Sequence, residues 1–254
     1  MAKILCLHGF GQSGGIFQAW TKQLCADIES NLPGSSFYFP TAHITLSPNN
    51  SKDLSTIPVK MRGGPLYAWN HNYLDWQRQF SGLEAALQYL KGILETEGPF
   101  DGIIGFSQGA AYGVALASLL ENPALAAECN LPLIAHPAFK FAVLFSGCKV
   151  PTFRFAPLYR DITTPCLLYY CIGDKIIPNR WSMALASDCR QPVVQTHREG
   201  HRVPLEGRLT KLAAIFVVNA LGSVSARDIA PAPMPCVSDW LSLMEEVPLA
   251  FARL

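Results

Sequence analysis

Charge is scarce in this chain. Only 15% of its 254 residues are Asp, Glu, Lys or Arg, and the two signs nearly cancel to a formal net charge of +1. So small an imbalance gives no whole-molecule attraction for nucleic acid or an anionic membrane, and neither is expected as a partner. Long apolar runs are missing as well. The longest, such as Ala110 to Leu120, are glycine-interrupted and fall short of the roughly 20 residues that span a bilayer. No signal peptide is expected, because Lys3 to Leu7 runs straight into glycines without a cleavage site. The eight cysteines are scattered, with no C-x-x-C pair and no Cys/His ligand spacing. They read as buried free thiols of a reducing compartment, and no metal is expected. Repeats and low-complexity blocks are absent too. The expected location is the cytoplasm. The terminal Ala252-Arg253-Leu254, a relaxed small-basic-Leu import address, sets the peroxisome beside it as the alternative.

What the chain does have is apolar residues, half of the total, enough for a sizeable core in one α/β domain over residues 1–221. Short apolar runs at 3–7, 36–39, 100–104, 141–145, 166–172 and 193–197 read as strands. Helical spacing appears at 16–28, 74–95, 111–120, 178–187 and 205–219. Alternation of the two predicts a mostly parallel sheet covered by helices on both faces. Residues 43–72, rich in Ser, Asn, Pro and Gly, read as a lid-like insertion. Residues 123–137 read as a connection. Residues 222–254 read as a linker with a short terminal helix over Ser238 to Glu246.

The chemistry centres on Gly105-Phe106-Ser107-Gln108-Gly109-Ala110. This is G-x-S-x-G between a strand and a helix, the nucleophile elbow of the α/β-hydrolases. Glycines on either side let strand and helix approach while the serine sits on a strained turn beside a helix N-terminus, where free N–H groups favour developing negative charge. In such folds the acid and the histidine follow the serine in that order, each just past a strand end. Asp174 and His201 occupy those places, with Asp161 and His197 as the competing acid and base. His8-Gly9-Phe10 ends the first strand in the manner of the loop that supplies the second oxyanion amide, so the backbone N–H groups of Phe10 and Gln108 are assigned to an oxyanion hole. His8 itself reads as a loop-shaping residue. Gly9-x-Gly11-x-x-Gly14 also matches a dinucleotide fingerprint, but the second strand ends in Pro40-Thr41-Ala42 without the carboxylate that would hold a ribose. A nicotinamide oxidoreductase fails on that absence, and a non-catalytic binder of this fold has no use for all three polar groups.

Leu7 to Ser13, Gly98 to Ala110 and Glu199 to Pro204 together resemble the fungal family of serine hydrolases, with Gly-Pro-Phe-Asp-Gly before the elbow as its most specific mark. The resemblance runs from about residue 3 to 219. It implies a small α/β-hydrolase that needs no cofactor and cleaves simple esters or releases a polyketide or fatty acyl chain from an acyl carrier domain. A short-chain carboxylesterase is the alternative. Gly11 departs from the larger or basic residue usual after His-Gly-x. Aromatic segments suggest Tyr67, Trp69, Phe153 and Phe155 as acyl-chain contacts. Nine basic against five acidic residues from Lys149 to Arg208 suggest a basic rim suited to an acidic carrier, against the plainer reading of a solvated surface.

Overall fold

The computed structural model describes residues 1–46, 64–70, 82–150 and 153–222. Six strands form one sheet: β1 (Lys3–Leu7), β2 (Ser36–Tyr38), β5 (Gly102–Phe106), β6 (Phe141–Phe145), β7 (Cys166–Cys171) and β8 (Val193–His197). Their order is β2-β1-β5-β6-β7-β8, and every pairing is parallel. The central strands are uninterrupted apolar runs because both of their faces are buried. Successive side chains then divide between two cores. Ile4, Cys6, Ile104, Phe106, Val143, Phe145 and Leu167 face one side. Leu5, Leu7, Ile103, Ala142, Leu144 and Leu168 face the other.

The first core is closed by α1 (Gly14–Trp20), α2 (Lys22–Asn31) and α7 (Gly207–Gly222), whose Phe17, Leu24, Ile28, Leu209, Ala213 and Val217 pack on the sheet. The second is closed by α3 (Leu83–Glu97), α4 (Gln108–Glu121) and the short α5 (Ala124–Glu128). Between β7 and β8 lies α6 (Asn179–Ala186). Helix α4 is buried on all sides from Gln108 to Leu120, which explains why its sequence lacks a polar stripe. Its far end is tied down: one Glu121 carboxylate oxygen accepts from the backbone N–H of Thr164 at 2.7 Å and from the hydroxyls of Thr163 and Thr164 at 2.9 and 2.7 Å.

Several elements differ from the sequence expectation. The helix expected over 16–28 is two, broken at Thr21, whose backbone N–H and hydroxyl both donate to the Phe17 carbonyl, at 2.9 and 2.8 Å. Within the lid-like insertion, β3 (Ile44–Leu46) and β4 (Leu66–Ala68) pair antiparallel; three residues each are too few to show a period. Residues 47–63 and 71–72 of that insertion lie outside the described residues. The helix expected from 74 is described only from Leu83, and the 123–137 connection contains α5. The elbow strand sits two residues later than expected, in register with β6 from Gly102↔Phe141 to Phe106↔Phe145. The linker and terminal helix expected over 222–254 lie outside the described residues from 223 onward. Among the described residues no helix is long and apolar enough to cross a membrane.

Candidate active site

Ser107 lies at the turn from β5 into α4 with φ 52° and ψ −115°, a left-handed conformation that a serine holds only where its surroundings enforce it. The enforcement is steric. A Cβ on Gly105 would come within 2.7 Å of Ala110 Cα, and one on Gly109 within 2.2 Å of the Leu7 carbonyl oxygen. Strand, helix and the end of β1 are therefore in backbone contact, and the Ser107 N–H donates to Phe145 O at 2.8 Å.

His201 and Asp174 arrive from the ends of β8 and β7. His201 Nε2 is 2.9 Å from Ser107 Oγ, and its Nδ1 is 2.7 Å from Asp174 Oδ2. The buried Asp174 carboxylate also accepts from the Ser146 hydroxyl at 3.3 Å and, through Oδ1, from the N–H groups of Ile176 and Ile177 at 2.8 and 2.9 Å. Burial pushes this carboxyl's pKa up. The His201 hydrogen bond and charge, with the two backbone donors, outweigh that and hold it below the ordinary value. An ionised Asp174 only accepts, so the His201 proton sits on Nδ1 and leaves Nε2 to accept from Ser107. One aspartate thus serves both uses: Oδ1 caps its own turn and Oδ2 orients the imidazole.

The competitors lie elsewhere. His197 accepts at Nδ1 from the Glu199 N–H at 3.3 Å, and its buried Nε2 meets no partner. Asp161 pairs with Arg190. His8 is fully buried between the Gly9 carbonyl, 2.8 Å from Nδ1, and the Ala42 N–H, 3.0 Å from Nε2. Desolvation lowers its pKa to about 4, so it is neutral and carries the proton on Nδ1. Beside it Gly9 N–H donates to Gln12 Oε1 at 2.9 Å, which shapes the loop carrying Phe10.

The aromatic residues singled out for an acyl chain sit in different places. Trp69 and Phe155 are 0% and 3% exposed, inside the core, so neither offers a surface to a ligand; Trp69 is bound into the backbone by its indole N–H, 2.8 Å from the His8 carbonyl. This corrects the sequence expectation, because aromatic spacing alone does not separate a pocket wall from a core wall. Tyr67 is half-buried on β4, and Phe153 begins the 3-10 turn Phe153–Tyr159. Half-buried Phe10, Ile176 and Trp181 instead gather around Cys148 and Ile177, beside the loop that follows β1 and the loop of Asp174. Ser146, Gln12, Ile176 and Trp181 were not singled out from sequence: Gln12 acts within its own loop, through Gly9, and the others meet their partners only in the folded chain.

A parallel sheet with a strained serine at a strand-to-helix elbow defines the α/β-hydrolase class. A model of the family described as serine hydrolase (FSH1) matches residues 1–211, and the chain belongs to that family. It is 30% identical over 213 residues to the zebrafish (Danio rerio) protein named esterase OVCA2, covering 80% of this chain and 90% of that one. It is also 30% identical over 210 residues to a Schizosaccharomyces pombe protein named dihydrofolate reductase, covering 80% of this chain and 44% of that protein. An uncharacterized hydrolase of the same yeast is likewise 30% identical and covered over 50% of its length; the chain spans about half the length of these two relatives. Among solved structures, acyl-protein thioesterase 2 of Zea mays superposes with a TM-score of 0.55 at 22% identity, over 86% of this chain and 94% of that one.

Proposed function

We propose that this chain hydrolyses acyl esters or thioesters through Ser107, His201 and Asp174 by way of an acyl-serine intermediate. The observation that carries the reading is the continuous hydrogen-bonded path from Ser107 Oγ through His201 to Asp174. His201 Nε2 takes the hydroxyl proton as Oγ attacks the acyl carbon, and Asp174 stabilises the imidazolium that forms. The oxyanion accepts from the N–H groups of Phe10 and Gln108. His201 then gives its proton to the departing alcohol or thiol. Water attacks the acyl-serine with the same histidine as base, which frees the acid and regenerates Ser107.

The sharper reading is that the leaving group is a thiol on an acyl carrier domain and the acyl chain a polyketide or fatty chain. The charge pattern supports it. Of the nine cations from Lys149 to Arg208, five are neutralised, in Lys149–Asp188, Arg154–Glu84, Arg160–Glu128, Arg190–Asp161 and Arg208–Glu206. Lys175, Arg180, Arg198 and Arg202 have no carboxylate partner among the described residues. All four lie on the loops and helix start that carry Asp174 and His201, where they would meet an acidic carrier. Steering of that kind weakens with salt, so kcat/KM toward a carrier-bound thioester should fall between about 0.05 and 0.5 M salt, as the screening length shrinks from about 13 to about 4 Å. A salt-independent value would remove the carrier from the proposal.

The hydrolase reading is tested by intact mass after exposure to a fluorophosphonate. A single adduct on wild type and none on Ser107→Ala is expected. No adduct on folded wild type would overturn the reading in favour of a binding protein.

A further inference from the structure

Three stretches that are far apart in sequence meet at Trp69. Its backbone N–H donates to Gln108 Oε1 at 2.8 Å, and its indole N–H donates to the His8 carbonyl at 2.8 Å. The side-chain nitrogen Nε2 of Gln108 is committed to the residue after Trp69, donating to Asn70 O at 3.1 Å and to Asn70 Oδ1. Two residues before Trp69, the Tyr67 carbonyl accepts from the Gly11 N–H at 2.8 Å. Trp69, Asn70, Gln108 and His8 are all buried. The Gln108 side chain is fully buried, with both donors on Asn70 and its oxygen accepting from Trp69. Its bonds hold the position of its own backbone.

We propose that Trp69 is a positioning residue that sets the separation of the two oxyanion amides. It binds the loop that carries Phe10 with one N–H and the elbow residue Gln108 with the other. The inference rests on the hydrolase reading and on the assignment of those two amides. One wall of the oxyanion site ends a strand and the other begins a helix, and Gly109 lets them touch but supplies no directional bond between them. The strap over 67–70 supplies it, with Tyr67 and Trp69 on one wall and Trp69 and Asn70 on the other. Donors aimed at a developing oxyanion act only at the right distance, and a misplacement on the order of 1 Å costs about 10²-fold.

The test uses the full chain and compares wild type with Trp69→Phe, which keeps an aromatic ring and loses the indole donor. Gln108→Met cuts the other end of the strap. Tyr112→Phe serves as the packing control, since that ring lies 6.3 Å from Trp69 and its buried hydroxyl has no partner. The probes are a p-nitrophenyl ester and a fluorophosphonate.

Trp69→Phe and Gln108→Met should each lose about 10–100-fold in kcat. KM should stay within about twofold, the pH inflection of kcat should not move, and fluorophosphonate labelling should slow in parallel. The double variant should lose little more than either single one, because both cut the same strap. Tyr112→Phe should retain wild-type kinetics. Wild-type kcat in folded Trp69→Phe and Gln108→Met would overturn the proposal. So would a loss confined to KM, which would make Trp69 a substrate contact, or a moved pH inflection, which would place the damage at His201. Wild type that ignores the fluorophosphonate overturns the hydrolase reading itself; wild type and Trp69→Phe that label equally overturn only the strap.

Discussion

At the scale of single residues, the polar groups of the site differ in what they have at stake. Ser107→Ala should lower kcat by about 10⁵–10⁶-fold and Asp174→Asn by about 10⁴-fold, by analogy with serine proteases, in steady-state turnover of a p-nitrophenyl ester. His8 should instead make stability depend on pH. Burial lowers its folded pKa to about 4, whereas the unfolded chain binds that proton near about 6.5. Below pH 6.5 the unfolded state therefore holds the extra proton. Stability falls as pH drops toward 4, by about 3 kcal/mol at most, since each pKa unit is worth about 1.4 kcal/mol. Asp174 adds a loss of the same sign at lower pH, its carboxylate stabilising the fold above the unfolded value and ceasing to do so as pH falls through the folded one. Urea midpoints at pH 7 and 4.5 test this: His8→Gln should flatten the pH dependence, and an unchanged slope would rule His8 out as its source. Ser107, Asp174 and His201 were legible because each follows a recognisable strand. Trp69 and Ser146 were not. Their partners lie 61 residues back in His8 and 28 residues on in Asp174, and no local pattern encodes such contacts.

At the scale of elements, the elbow is a problem of backbone room. An alanine at Gly109 would drive its Cβ to 2.2 Å from the Leu7 carbonyl oxygen, where neither side is a flexible chain that could swing away. Gly109→Ala should cost about 3 kcal/mol or more, a fall of about 6–12 °C in Tm for a chain of this size. Gly92 is the counterpart. It lies within α3 with nothing inside 4 Å of an added Cβ, so Gly92→Ala should raise stability by about 0.5–1 kcal/mol. Calorimetry on the pair reads both signs, and two similar melting points would refute the steric account. The sequence showed the buried strands because they are continuous apolar runs. It hid the β3–β4 pair, whose three-residue strands carry no period, and the break at Thr21, where a hydroxyl and a backbone N–H share one carbonyl.

At the scale of the whole molecule, every described element ends by Gly222, and the described members of both large cores lie before it. The family match stops at residue 211, but α7 continues to Gly222 and buries Ala213, Ala214 and Val217 against α2 and the sheet. Truncation after Gly222 should preserve fluorophosphonate labelling, whereas truncation after Lys211 should abolish folding; circular dichroism and intact mass distinguish the two. Equal behaviour of the two truncations would mean α7 adds nothing to the core.

Helix α4, enclosed on every side and tethered at Glu121, contrasts with the exposed loop Arg198 to Gly200 that leads to His201. Amide protons of α4 should exchange with solvent only through global unfolding, and those of the loop through local opening. On the proposed mechanism the nucleophile should thus sit on the last part of the molecule to open and its base on one of the first. Gentle warming should therefore produce a chain that keeps Ser107 in its native place, silent toward substrate, and that recovers on cooling without refolding.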